Sequence, residues 1–235
     1  MALPLYLALT AAEFQKCSSL PEHVAWMACH YSPYGLGLSN LPRELPQSAM
    51  LILNDRTPPH SHNPDLIARQ LKELVDTFQC GSILLDFQHP DLTENAAVVK
   101  AVTTALSCPI GVSELYARDL PCAVLLPPIP PHVPLEEYLS PWQGREIWLE
   151  AALDSEIITV TEEGTNISPP QPGLMPESGH EDLRLHCHYQ TEVQPEQIRF
   201  TLFRSRDDLV SLLNSVEKQG ITRAVGLYQE LRDSL

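Results

Sequence analysis

Short apolar segments alternate with amphipathic segments along most of this chain, and this alternation limits the fold more than any other feature. A repeated strand–helix order is typical of a mostly parallel sheet, because each helix carries the chain back to the start of the next strand. Eight candidate strands cover residues 3–9, 24–30, 49–55, 82–88, 109–114, 122–127, 198–204 and 224–229. With 235 residues available, we predict an α/β fold of the (β/α)8 TIM-type barrel class.

Three amphipathic segments predict helices between these strands. Asn63 and Pro64 give the first helix a capping residue and a proline in its first turn. Thr93 is the predicted cap of the second helix, and Ser205 or Asp207 that of the third. The other connections are short and rich in Gly or Pro. We therefore expect a barrel in which some outer helices are reduced to loops.

The pattern changes between residues 145 and 194, where short alternating segments predict antiparallel strands. Apolar residues at 147–149 and 157–160 flank Leu153, Asp154 and Ser155, as in a hairpin. We interpret 1–235 as one barrel-like domain, with 145–194 as a β-rich insertion in one barrel connection. A second small domain over this stretch is the alternative.

Composition and charge narrow the possible partners. The net charge of −15 would repel a phosphate backbone, so we expect no nucleic-acid partner. No segment approaches the roughly 18 consecutive apolar residues of a membrane helix, so we expect no membrane partner. The six cysteines are isolated, and no Lys or Arg precedes Lys16 as in a signal peptide. These features favour reduced thiols and a cytoplasmic location.

No pattern in the sequence predicts a cofactor. The glycine-rich motifs of dinucleotide-binding, P-loop and serine-hydrolase folds are missing from it. His60 and His62, like His186 and His188, have a spacing that could place two imidazoles on one zinc ion. The first pair lies in a Pro-rich loop and the second in the predicted insertion, so we expect no metal.

The most informative segment is the fourth candidate strand. Leu84, Asp86 and Gln88 alternate along it and would share one face. In a barrel that face is the interior, and the last two residues would lie near the C-terminal mouth, where barrel active sites are built. A carboxylate there is difficult to explain by packing. Asp86 is therefore the first candidate site residue.

The segment 81–88 resembles the fourth strand of the chitinase-like family 18 glycoside hydrolases, which carries D-G-x-D-x-D-x-E. It keeps the last aspartate as Asp86, followed by the aromatic Phe87. The other two aspartates are missing, and Gln88 stands where the motif has its terminal glutamate. The passage 220–228 also looks like the last helix-to-strand passage of that family. The resemblance implies that Asp86 orients the acetamido group of a glycan, and that Gln88 cannot protonate a leaving group.

Other polar residues follow candidate strands and could reach the same mouth. Glu114, Asp55 and Glu230 are the acids that could replace the missing one, and Glu114 is the first choice for a catalytic role beside Asp86. Hydrogen-bonding and stacking groups for a ligand are supplied by Gln88, Asp55, Asn54, His30, Tyr31, Tyr228 and Gln229.

Two functions follow from these residues. The favoured one is a non-catalytic barrel that binds a carbohydrate or another small molecule, since general acid catalysis is worth about a hundred- to ten-thousand-fold and its usual source is lost. The alternative is a glycan-cleaving hydrolase with a displaced acid such as Glu114. A carboxyl group that shares a site with Asp86 would favour the enzyme.

Overall fold

The computed structural model describes residues 3–34, 37–57, 63–90, 92–118, 120–172, 176 and 178–232. Its first sheet consists of β1 (Leu5–Leu9), β2 (Val24–Tyr31), β3 (Leu38–Ser39), β4 (Met50–Asn54), β5 (Ser82–Asp86), β6 (Ile110–Ser113), β7 (Ala123–Leu126), β8 (Ile147–Ala151) and β15 (Arg223–Leu227). Strand β1 pairs in parallel with both β2 and β15, which closes eight strands into a barrel, and β3 is an antiparallel addition to β2. The predicted barrel is confirmed.

The seventh barrel strand is β8, and the prediction that residues 198–204 form it was wrong. Strand β8 pairs in parallel with β7 and β15. Its apolar run Ile147-Trp148-Leu149 is covered on both faces, as expected for a parallel strand. Only residues 152–153 separate β8 from the next strand, so the sequence looked like a hairpin.

The second sheet is antiparallel and lies between β8 and the last long helix. Its strands are β9 (Asp154–Thr161), β10 (Gly164–Ile167), β11 (Gln171–Pro172), β12 (His180–Asp182), β13 (Cys187–Gln194) and β14 (Gln197–Phe203). They follow the order β10-β9-β14-β13-β12, and β11 also pairs with β9. The expected antiparallel sheet is present and spans Asp154 to Phe203. That this sheet is an insertion within one domain is our proposal.

Buried Arg204 joins this second sheet to the barrel. The residue follows β14, and only 1% of it is exposed. Its guanidinium donates hydrogen bonds to the carbonyls of Ile129 and Pro130, after β7, and of His186, before β13. A buried guanidinium is tolerated only when such acceptors replace water.

The helices are α1 (Ala11–Lys16), α2 (Pro64–Phe78), α3 (Thr93–Ala105), α4 (Glu114–Ala117), α5 (Leu135–Leu139), α6 (Arg206–Lys218) and α7 (Tyr228–Leu231), with a 3-10 turn at Ser140–Trp142. Asn63 caps α2, and Ser205 caps α6, as predicted. Thr93 does not cap α3, because it is already the first helical residue. No helix within the described ranges is long and apolar enough to cross a membrane.

Seven of the eight barrel strands divide their buried apolar side chains between two cores, and β6 contributes to the outer core alone. Ile83 and Leu85 of β5 face the helices, whereas Leu84 belongs to a barrel-interior cluster. The members of that cluster are Tyr6, Ala8, Ala25, Met50, Ile52, Leu84, Ala123, Leu125, Trp148 and Val225. Trp148 is fully buried, and a Cβ atom at Gly111 would overlap its ring. The packed interior closes the barrel below its C-terminal mouth.

Candidate functional site

A cavity of about 880 Å³ opens at the mouth of the barrel, above the interior cluster. Because all eight barrel strands are parallel, their carboxyl ends meet at this rim. Polar side chains from several strand ends and the loops after them line the cavity: His30, Asn54, Asp55, Asp86, Gln88, His89, Glu150, Asp154 and Glu230. Its volume lies within the range of about 300–1,000 Å³ that is usual for small-molecule sites.

Asp86 reaches this cavity from the end of β5. It lies two residues beyond Leu84 of the interior cluster, so period two directs it inward. The Gln88 side-chain amide donates a hydrogen bond to its carboxylate. Burial raises the pKa of the Asp86 carboxyl, the hydrogen bond from Gln88 lowers it, and the charge of Asp55 raises it further. Gln88 thus orients Asp86 and stabilises its ionised form.

Asp55 holds the loop that carries Gln88. Its carboxylate is 2% exposed and accepts hydrogen bonds from the backbone N–H groups of Gln88 and His89, each at 3.0 Å, and from the Asn95 amide at 2.9 Å. A fourth contact is the His89 imidazole Nδ1 at 3.1 Å. These partners occupy both oxygens, so Asp55 is placed to position the site while it lines the cavity.

Glu150 and Asp154 are the cavity-lining carboxyl groups that sequence reasoning missed, and Glu150, on a barrel strand, is the more deeply placed of the two. It lies on β8, two residues after Trp148 of the interior cluster, and it lines the same cavity as Asp86. Burial, followed by the charges of Asp86, Asp154 and Glu114, raises its pKa from 4.5 to about 7. Among the residues that the structure describes, no hydrogen bond or ion pair holds this carboxyl group.

The signal for Glu150 was present in the sequence but depended on one assignment. If 147–151 had been assigned to a barrel strand, period two from Trp148 would have directed Glu150 inward near the strand end. As an arm of a hairpin, the same residue looked like an ordinary surface acid. The error at the seventh strand therefore also removed the acid from the predicted site.

Of these two predicted acids, Glu230 lines the cavity and Glu114 does not. Glu114 is the first residue of α4 and is not one of the cavity-lining residues. Its charge contributes to the raised pKa values of Glu150 and Tyr138. Glu230 does line the cavity, where its carboxylate accepts a hydrogen bond from the Leu153 backbone N–H.

Some of the predicted binding residues line the cavity and others lie outside it. Asn54 lines the cavity and donates a hydrogen bond of 2.9 Å to the carbonyl of Met27. Tyr31 is fully buried behind the barrel wall, where its hydroxyl donates to Asn95 Oδ1 at 3.0 Å. Tyr228 turns away and lies 3.2 Å from Cys17 Sγ. Gln229, on α7, is exposed outside the cavity.

Only the second of the two predicted histidine pairs lies within the described chain. His60 and His62 lie outside the described residues. His186 Nδ1 lies 3.0 Å from Ser211 Oγ, and His188 Nδ1 lies 2.7 Å from Asp208 Oδ2. No cluster of three or more His, Cys, Asp or Glu side chains suited to a metal occurs among the described residues.

Comparison with known proteins identifies the fold. No protein-family model and no curated protein sequence matches this chain. The spore cortex-lytic enzyme SleL from Bacillus cereus matches 96% of this chain with 70% of its own, at a TM-score of 0.56 and 11% identity. SleL from Bacillus megaterium QM B1551 matches over the same shares, at a TM-score of 0.56 and 8% identity. A chitinase from Chromobacterium violaceum ATCC 12472 matches 96% of this chain with 93% of its own, at a TM-score of 0.54 and 9% identity.

These matches give the chain a chitinase-like, glycoside hydrolase-like barrel fold. At about one residue in ten identical, the likeness concerns the fold and leaves the site to be argued from its own residues.

Proposed function

We propose that the barrel mouth binds a carbohydrate with an N-acetylated sugar at Asp86. The observation that carries this proposal is the open cavity in which the Asp86 carboxylate is held by the Gln88 amide. An oriented carboxylate accepts hydrogen bonds from sugar hydroxyl and acetamido N–H groups. Asn54 and His30 line the same cavity and add further hydrogen-bonding groups.

The glutamine at position 88 supports binding rather than catalysis at the usual strand-end position. The N–H of an amide donates hydrogen bonds but is far too weak an acid to protonate a leaving group. Its side chain is instead engaged with Asp86, which makes it part of the binding surface. The names of the similar structures, a cortex-lytic enzyme and a chitinase, support a glycan as the ligand class. An oligosaccharide in the cytoplasm remains our prediction for the partner and its location.

Calorimetric titration with chitin oligosaccharides tests this proposal. The wild-type protein should show saturable binding, and Asp86→Asn should weaken it by about ten- to a hundred-fold, because a hydrogen bond to a charged group is worth about 1.5–3 kcal/mol. Glu192→Gln is the matched control, since Glu192 is exposed on β13 of the second sheet. Neutral glucose oligosaccharides measure the preference for the acetamido group. Absence of saturable binding to any sugar would refute the proposal.

The alternative, cleavage of a glycan, needs an acid inside the cavity. Glu114 does not line the cavity, whereas Glu150 does. Burial also raises the pKa of the Glu150 carboxyl group. Any cleavage activity is therefore better assigned to Glu150 than to Glu114.

A further inference from the structure

We propose that Glu150 donates the proton when a glycosidic bond is cleaved at the barrel mouth, in place of the acid that Gln88 cannot supply. This inference rests on the proposed function, because it requires a glycan in the same cavity as Asp86.

The position of Glu150 is the first support. Strands β5 and β8 lie three places apart around the closed barrel, in the order β5-β6-β7-β8. Leu84 and Trp148 are interior residues of these strands, and Asp86 and Glu150 each follow two residues later. Both carboxyl groups therefore enter the mouth from its wall, and both line the one cavity. A sugar bound by Asp86 lies within the space that Glu150 also faces.

The chemical state of Glu150 is the second support. A general acid must hold its proton near the working pH and must be free to release it. With a pKa of about 7, the Glu150 carboxyl is about half protonated at neutral pH. Among the described residues no hydrogen bond or ion pair occupies it. The Glu230 carboxylate, in contrast, holds the Leu153 N–H, and Asp55 holds the loop after β5.

Several charged and titratable groups surround Glu150 and influence its pKa. Those that act on it most directly are Asp86, Asp154 and Glu114. The others around the cavity are Asp55, Arg56, His30, His89 and Glu230, while Tyr138 lies on α5. Burial is the largest cause of the raised pKa of Glu150, and since these three neighbours are acids, their charges raise it further and favour the protonated form.

The proposed step is balanced by one water molecule. The proton of the Glu150 carboxyl passes to the glycosidic oxygen as the bond from that oxygen to the anomeric carbon breaks. Water then adds to the anomeric carbon and loses one proton. That proton restores the acid form of Glu150, so the net reaction is hydrolysis.

Two glycosides with different leaving groups test the role of Glu150 in the 235-residue chain. A chitin oligosaccharide has a poor leaving group that must be protonated. In a 2,4-dinitrophenyl glycoside of N-acetylglucosamine, the dinitrophenolate group leaves without a proton. Glu150→Gln should slow cleavage of the oligosaccharide by about a hundred- to ten-thousand-fold and should change cleavage of the dinitrophenyl glycoside by less than about tenfold. A variant that was merely misfolded would lose both activities.

The pH profile gives a second readout of the same role. Cleavage of the oligosaccharide by the wild type should fall as the pH rises through about 7, because Glu150 must be protonated. This basic limb should be missing from the residual activity of Glu150→Gln. Glu192→Gln should behave as the wild type does.

The remaining outcomes separate this inference from the proposed function. Oligosaccharide binding without cleavage by the wild type would overturn the role of Glu150 and leave the binding function intact. Absence of both binding and cleavage would overturn both. A loss of oligosaccharide cleavage in Asp154→Asn or Glu114→Gln, with Glu150→Gln still active, would assign the acid to another residue and overturn the inference.

Discussion

The Glu150 carboxyl should make the folded protein less stable as the pH rises, because burial makes its charged form costly. Its pKa is 4.5 without the protein environment and about 7 in the folded protein. Below the lower value both states are protonated and Glu150 contributes nothing. Between the two values only the unfolded chain loses the proton, which favours unfolding, and above the higher value the full penalty is present.

The size of this penalty follows from the two pKa values. A tenfold change in an acid dissociation constant corresponds to about 1.4 kcal/mol, so the rise of the Glu150 pKa from 4.5 to about 7 corresponds to at most about 3 kcal/mol. Water in the open cavity screens part of this cost. Because glutamine has no charged form, Glu150→Gln should be about 1–3 kcal/mol more stable than the wild type at about pH 8 and equally stable at about pH 4.

Urea denaturation across this pH range measures the effect. Asp86 and Asp154 also have pKa values raised by burial, so both proteins keep some loss of stability at high pH. The informative quantity is therefore the difference between the wild type and Glu150→Gln, with Glu192→Gln as the exposed control. If this difference is the same at about pH 4 and about pH 8, the carboxyl is not buried as argued and the reasoning is refuted.

Two further predictions concern the packing of the barrel interior and the charge of its mouth. Gly111→Val should lower the free energy of unfolding by about 1–3 kcal/mol or more in urea denaturation, because a side chain there overlaps the Trp148 ring; a stable variant would mean that the barrel interior is less tightly filled. Gln88→Glu replaces the amide donor to Asp86 by a second carboxylate, so the melting temperature should fall more at about pH 8 than at about pH 4, because protonation of either carboxyl relieves their repulsion. Equal melting temperatures at both pH values would argue against this pairing.

The predictable part of this fold is the part with a local signal. The parallel strands β4 and β5 and the helix α2 have apolar patterns and caps that lie within a few neighbouring residues. Asp86 was found because it follows one of these strands. Glu150 was missed because the membership of β8 in the barrel depends on pairing with β7 and β15, and the latter lies more than seventy residues further along the chain.

Contacts between distant residues also explain the misplaced site residues. Tyr31 follows the expected strand, yet its hydroxyl bonds to Asn95 on α3, behind the barrel wall. Tyr228 begins α7 and contacts Cys17, so it does not continue the alternation of β15 into the mouth. Period two predicts which face a residue takes within a strand, but it does not predict where the strand ends. Residues at strand ends are therefore the least predictable members of a barrel site.

The glutamine at position 88 and the glutamate at position 150 form a consistent pair. A glutamate at 88 would stand beside Asp86 in a mouth that already contains Glu150 and Asp154, and close carboxylates with little access to water repel each other when both are charged. Glutamine carries no charge, and its hydrogen bond favours the ionised form of Asp86 against the burial that raises the pKa of that carboxyl. The charge of Asp86 in turn raises the pKa of Glu150. By favouring the charged form of Asp86, the Gln88 amide thus adds to the raised pKa of Glu150, and this coupling is a physical reason to seek activity in Glu150.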